Sequence, residues 1–182
     1  MLLLVSVLCT ALLTYAVLQA PSLFVHRDPA VTANVYVYET IDGQQNLIGS
    51  AEGNIITDFG EARALNALVG TATDITGIAV GTEASIDQTD TGLTTEETTN
   101  GFERVACNVS TVWDNGGDSA INFTASFDAT AQVTVNSAIL TLSTVGATAD
   151  AMAISFLTDG SDHQFPTSSR LTVVWVLTLN AN

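Results

Sequence analysis

Residues 1–25 contain no ionisable group other than Cys9, Tyr15 and the terminal amine, and every acidic residue of the chain lies beyond them. Among the first 27 residues only Arg27 is formally charged, so residues 28–182 hold three arginines against nineteen acids, a balance of −16. An apolar rod is joined to an anionic body. The run is long enough to cross a membrane as a helix, since about 20 apolar residues at about 1.5 Å each suffice. The division predicts an N-terminal hydrophobic helix over 1–27 and a separate domain over 28–182.

Three readings of the rod stay open. A secretory signal peptide needs a basic start and a small-x-small cleavage site. No Lys or Arg precedes Leu2, and the run ends in Leu18-Gln19-Ala20 before Pro21, with Thr14-Tyr15-Ala16 as a second site. A plain membrane anchor fits the length, with Pro21 kinking or ending the helix. The third reading is a helix held in a membrane before assembly and then buried among copies of itself. At about 25 cal/mol per Å², burying on the order of 1,500 Å² of such a helix contributes tens of kcal/mol before ordering costs.

The body supports a folded core. Of the 182 residues 47% are hydrophobic and 13% charged, too apolar a mix for intrinsic disorder. All four basic residues are arginines (Arg27, Arg63, Arg104, Arg170), which leaves no basic stripe for phosphates and excludes nucleic acid as a partner.

After Arg27-Asp28-Pro29 the pattern changes to period-two alternation. Strands are predicted over 33–41 and 47–57, joined at Asp42-Gly43 in a hairpin. One helix is predicted over 59–69, with Asp58 and Glu61 in capping-box spacing, Ala62, Leu65 and Leu68 or Val69 on one face, and Gly70 as its stop. Further strands are predicted over 75–82, 102–113, 132–142 and 151–157, with a polar loop over 83–100 and a turn over 114–118. Ile121, Phe123, Ala125 and Phe127 alternate with polar residues, giving a strand with one buried face. The segment 171–179 is apolar on both faces and is expected to be central. Short strands about ten residues apart indicate a mainly β fold, a β-sandwich of jelly-roll or immunoglobulin-like kind with one short helix.

Chemical motifs are sparse. The acids at Glu83, Asp87, Asp90, Glu96, Glu97, Asp114, Asp118, Asp159 and Asp162 follow no EF-hand spacing and read as a solvated anionic surface, so no metal site is expected. His26 and His163 lack a second histidine at ligand spacing, and no glycine-framed serine marks a nucleophile. Neither enzyme activity nor a cofactor is expected. Cys9 and Cys107 fall in separate parts of the chain and are expected as free thiols. Two sequons, Asn108-Val-Ser110 and Asn122-Phe-Thr124, place Asn108 and Asn122 on the polar side of their strands as glycosylation sites in an exported chain.

An uninterrupted apolar start without a basic flank, followed by a Thr-rich, Lys-free acidic β body, resembles a mature type IV pilin of the archaeal kind. Bacterial relatives usually carry a glutamate near the mature start, where this chain has Val5 and Ser6. The resemblance implies a structural subunit of an extracellular, cell-surface filament, membrane-inserted as a precursor, whose partners are copies of itself in a helical polymer. Its polymerisation residues would be Leu2, Leu3, Leu4, Val5, Val7, Leu8, Leu12, Leu13, Val17 and Leu18, with the outer domain free for adhesion to surface glycans. A second, local resemblance lies at Ile78-Ala-Val-Gly-Thr82 with Asp90-Thr-Gly-Leu-Thr94, which is similar to a segment of β-rich viral tail or appendage proteins. The alternatives are accordingly a membrane-anchored or viral appendage adhesin, or a subunit whose Pro21-Ser-Leu-Phe-Val-His start donates a strand to its neighbour after cleavage. An anchored hydrolase has the least support.

Overall fold

The computed structural model describes residues 30–52, 54–68, 70, 74–113, 119–144 and 149–180. The first hairpin follows from its turn. β1 (Ala30–Ile41) and β2 (Gln44–Glu52) pair antiparallel, and Asp42 and Gly43 take φ values of 51° and 77°, the left-handed geometry of a two-residue loop that matches strand twist. β3 (Ile55–Ile56) leaves this sheet for a second one, and the helix α1 (Asp58–Leu68) follows at once. Its cap is Thr57, one residue earlier than the sequence suggests: the Gly60 N–H donates to Thr57 Oγ1 at 3.0 Å. Gly60 lets the helix approach the strand that carries Met152, because a Cβ there would stand 2.0 Å from the Met152 carbonyl oxygen. Ala62, expected on the packed face, is exposed, and the side chains of Leu65 and Leu68, like Val69, lie outside the described set.

The remaining strands are β4 (Gly77–Thr82), β5 (Thr95–Glu96), β6 (Val105–Ala106), β7 (Asn108–Trp113), β8 (Ser119–Asp128), β9 (Val133–Val135), β10 (Ser137–Thr141), β11 (Ala151–Phe156), β12 (His163–Phe165) and β13 (Arg170–Asn180). They form three antiparallel sheets. Five strands run in the order β2-β1-β13-β8-β7, six in β3-β11-β10-β4-β5 with β6 also on β4, and two in β12-β9. β13 is the middle strand of the first sheet, as its two apolar faces predict.

One core joins all three sheets. Val35, Phe127 and Trp175 come from the first, Val80 and Leu140 from the second, and Val135 and Phe165 from the third. Phe102, buried in a loop, lies 5.6 Å ring to ring from both Phe127 and Phe165. A smaller core sits on another face of the six-stranded sheet, where Leu93 meets Ala79, Ile139 and Ile154. Through Leu93, which clusters with Ala79, the segment 90–94 packs against the strand 77–82 to which the local resemblance couples it, and the Ala151 N–H holds the same segment to β11 by donating to the Thr91 carbonyl at 2.9 Å.

This architecture corrects the expected fold class. The described chain is mainly β in three sheets with a single short helix, not a long N-terminal helix leading into a two-sheet jelly-roll or immunoglobulin-like sandwich. Residues 1–27, to which the long helix was assigned, lie outside the described residues, among which no helix is long and apolar enough to cross a membrane. The third sheet arises where the run 132–142 breaks at Asn136. There the Asn136 amide donates to the carbonyls of Glu83 and Gly160, and its oxygen accepts from the Glu83 N–H, so the chain changes partners instead of continuing one ladder. The run 102–113 likewise divides at Cys107, with β6 in one sheet and β7 in another. The polar loop 83–100 contains β5, the short β12 was not foreseen, and the expected turn 114–118 lies outside the described residues.

Candidate functional site

The ten polymerisation residues from Leu2 to Leu18 all lie outside the described residues. The two sequons are described, and the fold brings them together. In the β7–β8 ladder Asn108 stands opposite Thr124, and Ser110 opposite Asn122. Each sequon asparagine therefore faces the hydroxyl residue of the other. Directly paired residues share a face, and the alternate residues Phe123, Ala125 and Phe127 are in the core, so this quartet lies on the outer side of the sheet. Asn108 is exposed and Asn122 half-buried. Both sequon asparagines therefore lie on the side of the sheet away from the core.

The acidic loops are occupied with their own backbone. Asp87 Oδ1 accepts from the N–H and hydroxyl of Thr89, both at 2.9 Å, and these bonds hold its carboxyl below the usual range. Asp159 does the same with the Ser161 N–H at 3.0 Å, and its carboxyl is lowered for the same reason. Glu97 accepts from the Thr99 N–H and hydroxyl, and Glu83 from the Thr94 N–H. Among the described residues no group of three His, Cys, Asp or Glu side chains is placed to hold a metal ion.

Asp162 and His163 point to different partners. Asp162 Oδ1 accepts from the Asn136 amide at 3.0 Å, while His163 Nε2 lies 3.5 Å from Glu39 on β1, with its ring centroid 4.7 Å from that of Phe165. Cys107 is a half-buried free thiol whose ionisation burial pushes up, which makes it a poor nucleophile.

A buried ion cluster escaped the sequence reading. Arg104 Nε and Nη2 donate to the two Glu96 carboxylate oxygens at 2.7 and 2.9 Å, and Nη1 donates to Asp150 at 2.8 Å and to the Ser143 carbonyl at 3.3 Å. Burial works against the charge, but the bonds to Glu96 and Asp150 outweigh it and raise the guanidinium above its ordinary value. The signal was a lone Arg between Phe102 and Val105 in a Lys-free chain.

The outer end of the five-stranded sheet differs from the rest. Val109 pairs with Phe123 and so shares its inward face, yet Val109 is 56% exposed where Phe123 is 5%. Ile121, in the same inward series, is 38% exposed. No other described strand pairs with the far edge of β7. Nearby, Leu177 with Ile56, Ala64, Ile75 and Met152 lines an apolar cavity of about 260 Å³ between α1 and the sheets. The chemistry this region offers is a backbone ladder unpaired among the described residues, beside exposed apolar side chains. Comparison with protein-family models, with curated proteins and with solved structures returned no match for the chain.

Proposed function

We propose that the protein is a structural subunit of an extracellular surface filament of the type IV pilus kind, joined to copies of itself through the apolar residues between Leu2 and Leu18. The observation that carries this reading is the segregation of charge: residues 1–25 hold no acid or base side chain of Asp, Glu, Lys, Arg or His, and they precede a body with a balance of −16. Water disfavours the first part and solvates the second, and a polymer with apolar segments inside and acidic bodies outside satisfies both. The anionic bodies keep the surface soluble, and sugars on Asn108 and Asn122 would project from it.

Electron microscopy of the native material and of a Leu8→Asp, Leu12→Asp variant tests the reading. Filaments are expected from the first and dispersed particles from the second; normal fibres from the variant would refute it. Intact mass of the native chain reports whether the leading residues are retained and whether sugar is attached. A second reading, a subunit of a viral appendage, draws on the segment 90–94 packed over β4, the pair of stretches that is similar to appendage proteins. Recovery of the chain from virus particles instead of sheared cell-surface material would favour it.

A further inference from the structure

The two edges of the five-stranded sheet are finished differently. β2 carries a bulge against Val37 and Tyr38 and bears Glu52, and its Gly49 lies under the Leu157–Thr158 backbone, where a Cβ would stand 2.5 Å from the Leu157 oxygen. Bulges, charges and covering loops are the ordinary protections of an edge strand. The edge strands of the six-stranded sheet are two residues each. Among the described residues β7 has none of these devices. It is six residues long, Asn-Val-Ser-Thr-Val-Trp, without charge or proline, and it keeps an unbroken register with β8 from Asn108 to Trp113. Beside it Val109 and Ile121 leave the inward face uncovered.

We infer that the edge of β7, with Val109 beside it, accepts an extended segment from a second copy of the chain, residues 20–26. Three observations select that occupant. An uncharged edge on a body of −16 favours a strand without acids, and Ala-Pro-Ser-Leu-Phe-Val-His supplies seven such residues. The segment joins its own body at Ala30 on β1, and β13 and β8 separate β1 from β7. At about 4.8 Å per strand the own-chain route must cross about 19 Å of sheet to reach the far edge, whereas a neighbour's segment enters from outside. Period-two alternation then sets Leu23 and Val25 on one face, the face of Val109 in the register that extends the apolar row, while the backbone N–H and C=O groups beyond Pro21, which has no N–H, complete the ladder. The inference rests on assembly from copies and names the joint: residues 2–18 gather the chains, and residues 20–26 lock each to the next.

The test uses full-length chains in a Cys9→Ser, Cys107→Ala background. One carries Leu23→Cys and the other Val109→Cys; they are mixed under assembling conditions and oxidised. A mixed disulfide is expected in at least tenfold excess over either homodimer. Val109-to-Val109 homodimers would overturn the proposal in favour of edge-to-edge pairing. Closure within a single chain carrying both substitutions, or no bond while both thiols react with a soluble maleimide, would also overturn it. Hydrogen exchange on the unsubstituted protein needs no variant: amides of residues 108–113 are expected to slow at least tenfold on assembly, and unchanged exchange counts against the joint. Filaments without the mixed disulfide would leave the filament reading standing and remove only the acceptor edge, while a chain that never assembles removes both.

Discussion

Arg104 and Arg170 each grip carboxylates, and they do so in opposite surroundings. The Arg104 side chain is 2% exposed and Glu96 3%, whereas Arg170 is 53% exposed and Asp128 66%. Geometry alone does not separate the pairs: Arg170 Nε and Nη2 reach the two Asp128 oxygens at 2.6 and 3.1 Å, a fork like the one Arg104 makes with Glu96. What separates them is water. Around Arg104 the carboxylates of β5 and of the residue before β11 have lost their hydration, so each charge depends on the others. Around Arg170 solvent screens the pair and replaces whichever partner is lost. In a chain with four arginines and nineteen acids, one cation is committed to tying three segments of the six-stranded sheet together.

The largest expected effect is therefore at Arg104. Arg104→Ala leaves Glu96 and Asp150 facing each other without a counter-ion, and breaking a buried pair in this way costs about 3–5 kcal/mol. Urea unfolding of the variant should show that loss as a lower midpoint at unchanged slope. A loss below about 1 kcal/mol would mean that water reaches the cluster and that the contrast with Arg170 is false. Replacing the whole cluster sharpens the same point. Arg104→Met with Glu96→Leu and Asp150→Leu removes the desolvation cost together with the attraction, and the expected outcome lies between no change and about 4 kcal/mol of added stability. Since Asp150 Oδ2 already has no hydrogen-bond partner among the described residues, the apolar version gives up little at that atom.

Why one pair was invisible in the sequence and much of the sheet was not has a physical explanation. The β1–β2 turn was legible because Asp42-Gly43 encodes its own left-handed backbone, and the inward face of β8 because Phe123, Ala125 and Phe127 alternate with polar residues. Both signals are local. Alternation records which side of a strand is apolar, but it does not record which neighbour the strand pairs with. Cys107 keeps the alternation of Val105 and Val109 intact while the ladder changes sheet, and at Asn136 the inward series passes from Val133 and Val135 to Ala138 and Leu140, so one predicted strand became two in each place. The Arg104 cluster joins residues 8 and 46 positions apart and leaves no spacing to read. The sequons were legible as outward-facing, yet their mutual register needed the β7–β8 pairing, and the exposure of Val109 depends on which described neighbours pack beside it, which alternation does not record.

The exposed pair gives a smaller effect. Arg170→Ala is expected to cost about 0.2–1 kcal/mol, the usual range for a solvent-exposed ion pair even in forked geometry. The cost should shrink as salt is added, because at 0.15 M charges are screened over about 8 Å. The Arg104→Ala cost should be nearly independent of salt. Parallel denaturant curves for the two variants at low and high sodium chloride compare the sites directly, and equal salt slopes would erase the distinction.

The smallest expected effect concerns pH. The hydrogen bond from Arg170 holds the Asp128 carboxyl below its usual value, so the folded protein favours the ionised form more than the unfolded chain does. Asp128 therefore contributes stability that is fully present above the unfolded value, near 3.9, and is lost as pH falls through the lower folded value. Asp87 and Asp159 are lowered by their turns and act in the same direction over the same window. Protonating the other surface acids of a body at −16 relieves their mutual repulsion and works the opposite way. The balance is read by difference. As pH falls from 5 through the unfolded value the gap in stability between the parent and Arg170→Ala should narrow, since a protonated Asp128 no longer attracts the arginine. A gap that stays constant through that window would show that the arginine stabilises the sheet through the packing of its carbon stem on β13 and not through its charge.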